Sequence, residues 1–249
     1  PCPNPMLQQE EERPTSMLYR PVEKEKKSSI YRYVAKRDLL LFYPYHSFNY
    51  FINFLYEAVN DPLCTDIMIT QYRVAENSAV ISSLIAAAKS GKRVTVFVEL
   101  KARFDEENNL QTAELMRAAG INIIFSLKGL KVHAKVALIL RRSRQGKYSQ
   151  CFAYVSTGNF NEKTARQYAD IGYFTSNRAV ICDLQNLFAC LQKEREEIEK
   201  EREQIDFRRL LVSQFNMVPM VIKMIRAEKN LARKGKSGHI ILKMNALQD

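Results

Sequence analysis

The chain has no tryptophan, and its aromatic residues do not alternate with basic ones over any short stretch. Strands that bind RNA through stacking platforms often show such alternation, so nucleic acid ranks behind other polyanions as a partner. The five cysteines, at 2, 64, 151, 182 and 190, include no CxxC pair. That argues against a disulfide framework and a zinc site, and leaves reduced, mostly buried thiols. The longest apolar runs, Ile121 to Phe125 and Val136 to Leu140, fall far short of the ~20 residues that cross a bilayer. Residues 1 to 30 are polar and proline-rich with no apolar core, unlike a secretory signal, so a cytoplasmic address is expected.

What is abundant is positive charge. Lys and Arg number 38 against 27 Asp and Glu, a formal charge of +11, with a sequence pI of about 9.4. Such a surplus points to a polyanionic partner: nucleic acid, anionic lipid, or a phosphate-rich small molecule or polymer. At 46% hydrophobic and 26% charged, the 249 residues have a globular composition with room for one large domain or two smaller ones.

Residues 1–36 show little periodicity and read as a connector or arm carrying at most a short helix. Phe48, Phe51, Ile52, Leu55, Tyr56 and Val59 recur at three and four residues, which marks an amphipathic helix. Strands are expected at 66–71, 94–100 and 121–125, with helices at 80–88 and 110–119 closed by Gly91 and Gly120. That alternation predicts an α/β lobe with a mixed, mostly parallel sheet flanked by helices. Further strands are expected at 132–140, 151–155 and 171–175, then one long helix over 182–203 whose end, from residue 193, carries six Glu against Lys193, Arg195, Lys200 and Arg202. The order Phe-Asn, amphipathic helix, connector, apolar strand occurs twice, from His46 and again from Ser213. It suggests a second copy of the fold opening near Phe207. The resulting domains are 1–36, a first lobe at 37–182, a charged helix at 183–206, and the truncated start of a second lobe at 207–249.

His133 is the informative histidine. It lies in GLKVHAKVALIL, and period two puts it on one face with Lys135, opposite Val132, Ala134, Val136 and Leu138. An imidazole beside a cation is favoured in its deprotonated form and is a candidate nucleophile toward a phosphoryl group. Arg73 and Arg103 follow the strands ending near Gln71 and Leu100. Ligands of open α/β sheets bind outside such carboxyl ends, and guanidinium forks suit phosphate. Thr157, Gly158 and Asn159 in STGNF follow another strand and suit a turn whose backbone amides face an anion.

YRVA at 72–75, VTVFVELKARFDEENN at 94–109, GLKVHAK at 129–135 and STGNFNEKTARQYAD at 156–170 together resemble the bacterial polyphosphate kinase family, from about Asp38 to Asp249. The resemblance implies a phospholipase D-like fold with two HxK-bearing lobes, preceded by N-terminal and helical head domains. It also implies reversible transfer of the ATP terminal phosphoryl group to inorganic polyphosphate, with magnesium, through a phosphohistidine at His133. Lys135 would assist there. Arg73 and Arg103 match a metal–phosphate site, which we read as clamps on Mg-bound phosphates, since a guanidinium has no lone pair. Tyr168 matches a nucleotide-contacting position. ATP or ADP and polyphosphate would be the partners. A homo-oligomer and peripheral contact with the inner membrane stay open.

The sequence also departs from these patterns. Leu140 stands where phospholipase D enzymes place an aspartate, and Ser156 where relatives often carry Gly. No counterpart of the second-lobe histidine occurs, so this chain alone is expected to be nearly inactive. Two other readings are a phospholipase D-like phosphodiesterase and a non-catalytic polyanion-binding module.

Overall fold

The computed structural model describes residues 29–72, 78–99, 106–125, 132–143 and 145–242. Seven strands form one mixed sheet: β1 (Leu39–Tyr43), β2 (Cys64–Gln71), β3 (Arg93–Val98), β4 (Asn122–Phe125), β5 (Lys135–Arg141), β6 (Phe152–Ser156) and β7 (Asp170–Thr175). Their spatial order is β1-β7-β6-β5-β2-β3-β4. The helices are α1 (Ile30–Val34), α2 (Asn49–Asn60), α3 (Ala79–Lys89), α4 (Glu106–Ala118), α5 (Arg178–Leu191), α6 (Arg195–Glu201) and α7 (Met217–Arg233).

The mixed α/β sheet agrees with the sequence, but its parallel share is smaller than expected. Only β2–β3 and β3–β4 pair in parallel; the other four pairs are antiparallel. A parallel pair needs a long crossover. Such crossovers are provided where α3 and α4 lie between strands, whereas among the described residues the links joining β5, β6 and β7 carry nothing longer than one 3-10 turn. Gly91 and Gly120, both at φ +84°, close α3 and α4 in the left-handed conformation that glycine adopts without strain.

Both faces of the sheet are covered. On one, α2 buries Phe51, Phe54, Leu55 and Ala58 completely, with Tyr154, Phe160 and Phe174 in the same cluster. On the other, Leu184 and Phe188 of α5 pack with Leu138, Ala153 and Phe97. Each such large side chain contributes roughly 1.5–3 kcal/mol on burial. Three of the four described cysteines are buried, and Cys182 is exposed. β5 is central and buried on both faces, so the polar face expected for it is confined to its start.

Three boundaries differ from expectation. Ile30, Tyr31 and Val34 of α1 enter the core, so the packed unit starts upstream of residue 37. Its first turn is held by Glu57, whose carboxylate accepts from the Ser29 hydroxyl and the Ile30 and Tyr31 amides. The long helix expected over 182–203 is interrupted between Leu191 and Arg195. Glu194 and Glu197 form a capping box that starts α6 afresh, because a cap that satisfies two amide donors competes with continuation. Finally, α7 has no buried residue; of the apolar strand expected over 239–245, residues 239–242 form none and 243–245 lie outside the described residues.

Candidate active site

The strand register gathers the candidate residues at one end of the sheet. β5 runs against β2 with Ala137 opposite Ile69, and Lys135 faces Ser156 while Ser156 faces Gly172. The ends of β2, β3 and β6 therefore lie beside the starts of β5 and β7. This is the edge beyond the carboxyl ends of the parallel strands, where ligands of such sheets bind.

His133 precedes β5 on a short segment, 132–134, that takes part in no strand ladder. Backbone polar groups outside a ladder still need partners, and here side chains supply them. The Val132 amide donates to Glu99 Oε2 at 2.9 Å. The Lys135 ammonium donates to the His133 carbonyl at 2.6 Å. Thr70 Oγ1 donates to the Ala134 carbonyl at 2.8 Å and accepts from the Val136 amide at 3.0 Å. The imidazole itself is exposed, with its ring 5.1 Å from that of Tyr72 at 81°.

Lys135 departs from expectation. It is 4% exposed, with Nζ 4.9 Å from the centre of the Tyr72 ring. Its ammonium lies under the His133 segment rather than beside it in solvent. A cation over an aromatic face and bonded to a carbonyl is held without full hydration. The positive charge thus sits in the floor of the site, behind an accessible imidazole.

The turn after β6 also differs from expectation. The Thr157 amide donates to the Ile171 carbonyl and the Gly158 amide to Ser156 Oγ at 3.1 Å, so these two amides face their own strand pair and not an anion. The Thr157 hydroxyl donates to Asp170 Oδ1 at 2.7 Å. A Cβ on Gly158 would lie 2.5 Å from Asp170 Oδ2, so glycine is needed for the close approach of that carboxylate. Asn159 keeps its interest. Its Oδ1 is buried with no hydrogen-bond partner among the described residues. Tyr168 is 59% exposed, just before β7. Arg73 and Arg103 lie outside the described residues; the residues flanking their segments, Tyr72 and Glu99, stand at this same end of the sheet.

A cavity of about 460 Å³ opens beside His133, lined also by Ser156, Leu187 and Leu191, Arg202, residues 210–215 and Met217. Sequence reasoning missed its far wall, having read 183–206 as a charged helix and 207–249 as the start of a second lobe. The cause is Asp183, 1% exposed, which accepts from the amides of Arg208, Arg209 and Leu210 at 3.0, 2.6 and 2.8 Å. The signal was an acid set in the apolar face of α5. A second cavity, of about 640 Å³, lies at the opposite end of the sheet, with Arg141 in its lining; that guanidinium is engaged by Asp61 at 2.5 Å.

No group of three His, Cys, Asp or Glu suited to a metal ion occurs among the described residues.

The family described as polyphosphate kinase C-terminal domain 1 matches residues 29–197. Polyphosphate kinase 1 of Chlorobaculum tepidum is 39% identical over 227 residues, 91% of this chain and 31% of that protein. Polyphosphate kinase of Escherichia coli K12 is 41% identical over 216 residues, 87% of this chain and 30% of that protein. The crystal structure of polyphosphate kinase from Porphyromonas gingivalis superposes with a TM-score of 0.82 at 44% identity, covering 99% of this chain and 40% of that one. The chain spans about a third of the length of its curated relatives. With a family match across most of the residues that build the sheet, and a solved relative that follows nearly the whole chain, this chain belongs to the polyphosphate kinase family.

Proposed function

We propose that the protein carrying this chain transfers the terminal phosphoryl group of ATP reversibly to inorganic polyphosphate through a phosphohistidine at His133. The observation that carries the reading is the exposed imidazole on a pinned backbone above the buried Lys135 ammonium. A ring nitrogen of neutral His133 attacks the terminal phosphorus with its lone pair. The P–O bond to the β-phosphate breaks, and ADP leaves with that electron pair. A terminal oxygen of polyphosphate then attacks the phosphorus, the P–N bond breaks, and neutral imidazole returns. Charge spreads over the phosphoryl oxygens throughout, so positioning and positive potential do most of the catalysis. Lys135 supplies that potential from below. Arg73 and Arg103 are assigned as clamps on the phosphates, with magnesium arriving on the nucleotide. Asn159 is assigned to the phosphates and Tyr168 to the nucleotide.

The second lobe belongs to the same proposal. Aligning the two Phe-Asn pairs sets Phe51, Phe54, Leu55 and Ala58 of α2 against Val218, Val221, Ile222 and Ile225 of α7. The first four are fully buried on the sheet, whereas α7 buries none. An apolar face repeated at the same spacing supports a second sheet packing there, completing the site with groups this chain does not hold.

The test is incubation of the full-length protein and its His133→Ala variant with Mg and ATP labelled on the terminal phosphate. The expected result is acid-labile, base-stable label in the parent and none in the variant. A folded, nucleotide-binding parent that takes up no label overturns the covalent route.

A further inference from the structure

We propose that Glu99 is a positioning residue for His133, aiming the imidazole through the backbone of the residue before it. The inference rests on the phosphohistidine reading and adds a residue to it. Glu99 follows β3 immediately, and its amide donates to the Gln71 carbonyl at 3.0 Å, extending the β2–β3 ladder by one bond. The residue is 2% exposed. Burying a carboxylate is costly unless its oxygens accept hydrogen bonds. One of them, Oε2, accepts from the Val132 amide at 2.9 Å.

That bond fixes the segment where the sheet cannot. Residues 132–134 lie outside every ladder, so nothing regular sets the direction in which His133 leaves the backbone. Lys135 holds the His133 carbonyl and Thr70 the Ala134 carbonyl, both on the carboxyl side of the imidazole. Glu99 alone among these three acts on the amino side. Without it, among the described residues, the hydrogen bonds given above hold the segment from its carboxyl side, and rotation about the His133 backbone can swing the ring away from a phosphorus in line. A displacement of about 1 Å in a reacting group can cost on the order of a hundredfold in rate.

Two substitutions separate reach from charge. Glu99→Asp keeps the carboxylate but shortens the arm by one methylene, so it no longer reaches the Val132 amide. Glu99→Gln keeps the length and an acceptor oxygen while losing the charge. In the full-length protein, with folding checked by circular dichroism, E99D is expected to slow label uptake at His133 by about ten- to a hundredfold. KM for ATP should stay near the parent value, because the change is in aim and not in nucleotide binding. E99Q is expected to recover most of the lost rate, and the Val132 amide should exchange faster in E99D only.

Parent-like labelling in E99D, or equal loss in E99D and E99Q, overturns the proposal; the second outcome would make the charge, and not the reach, what matters. A parent that takes up no label sinks the phosphohistidine reading instead. The exchange of Val132 then still decides whether Glu99 holds the segment, and an unchanged rate in E99D counts against it.

Discussion

Gly158 shows how a single atom sets the form of the turn after β6. The Asp170 carboxylate lies where a Cβ would be, 2.5 Å away at its nearest oxygen, and the same carboxylate receives the Thr157 hydroxyl. Alanine at 158 must push Asp170 aside or open the turn. Overpacking of this kind costs about 1–3 kcal/mol, so Gly158→Ala should lower the urea midpoint with an unchanged slope, and a parent-like midpoint would show that the turn yields freely. The sequence pointed to this turn, but for a different reason. STGNF reads as a ring of anion-facing amides only while the strand that follows is ignored. The Ile171 carbonyl and Ser156 hydroxyl claim the Thr157 and Gly158 amides, and that competition depends on a β6–β7 pairing which composition does not reveal. His133 was legible because a histidine two residues from a lysine at the start of an apolar strand is rare in a chain with three histidines. The burial of Lys135 was not, since it depends on Tyr72 arriving from β2.

Among the elements, periodicity located most of the helices and strands, and the misses have physical causes. β1 carries LLLFY with Leu40 and Phe42 exposed, so its apolar run has no alternation to mark it. α1 is the short helix allowed for within residues 1–36, and at five residues it is too short for a period to place it. The split of α5 from α6 follows a capping box made entirely of glutamates, in a stretch where charge hides the cap. Asp183 gives this region its consequence, because three amides from 208–210 converge on one buried carboxylate. Asp183→Ala leaves those donors without partners and should destabilise the protein by at least about 2 kcal/mol. It should also free residues 207–210 from α5 and so loosen the wall beside His133. Denaturant unfolding reads the first effect and proteolysis near Arg208 the second. A variant as stable and as protease-resistant as the parent would mean that Phe207, 7% exposed, anchors the segment without help.

At the scale of the whole molecule, charge and incompleteness make separate demands. A net +11 favours a polyanion wherever it touches the surface, since each phosphate neutralised releases counterions. Binding of polyphosphate, the proposed substrate, is therefore expected of the surface of this chain alone, including the basic face of α7 with Lys223, Arg226, Lys229 and Arg233, on a helix with no buried residue. Transfer needs more: an in-line geometry closed by groups on the proposed second lobe. The two demands come apart in one experiment. The chain of 249 residues by itself should retain inorganic polyphosphate, with affinity falling steeply and linearly in log–log form as salt rises, while forming almost no polymer from Mg and ATP. Retention without salt dependence would remove the electrostatic account. Vigorous synthesis by the isolated chain would remove the need for a second lobe, and would place the whole transfer on His133 and its pinned segment.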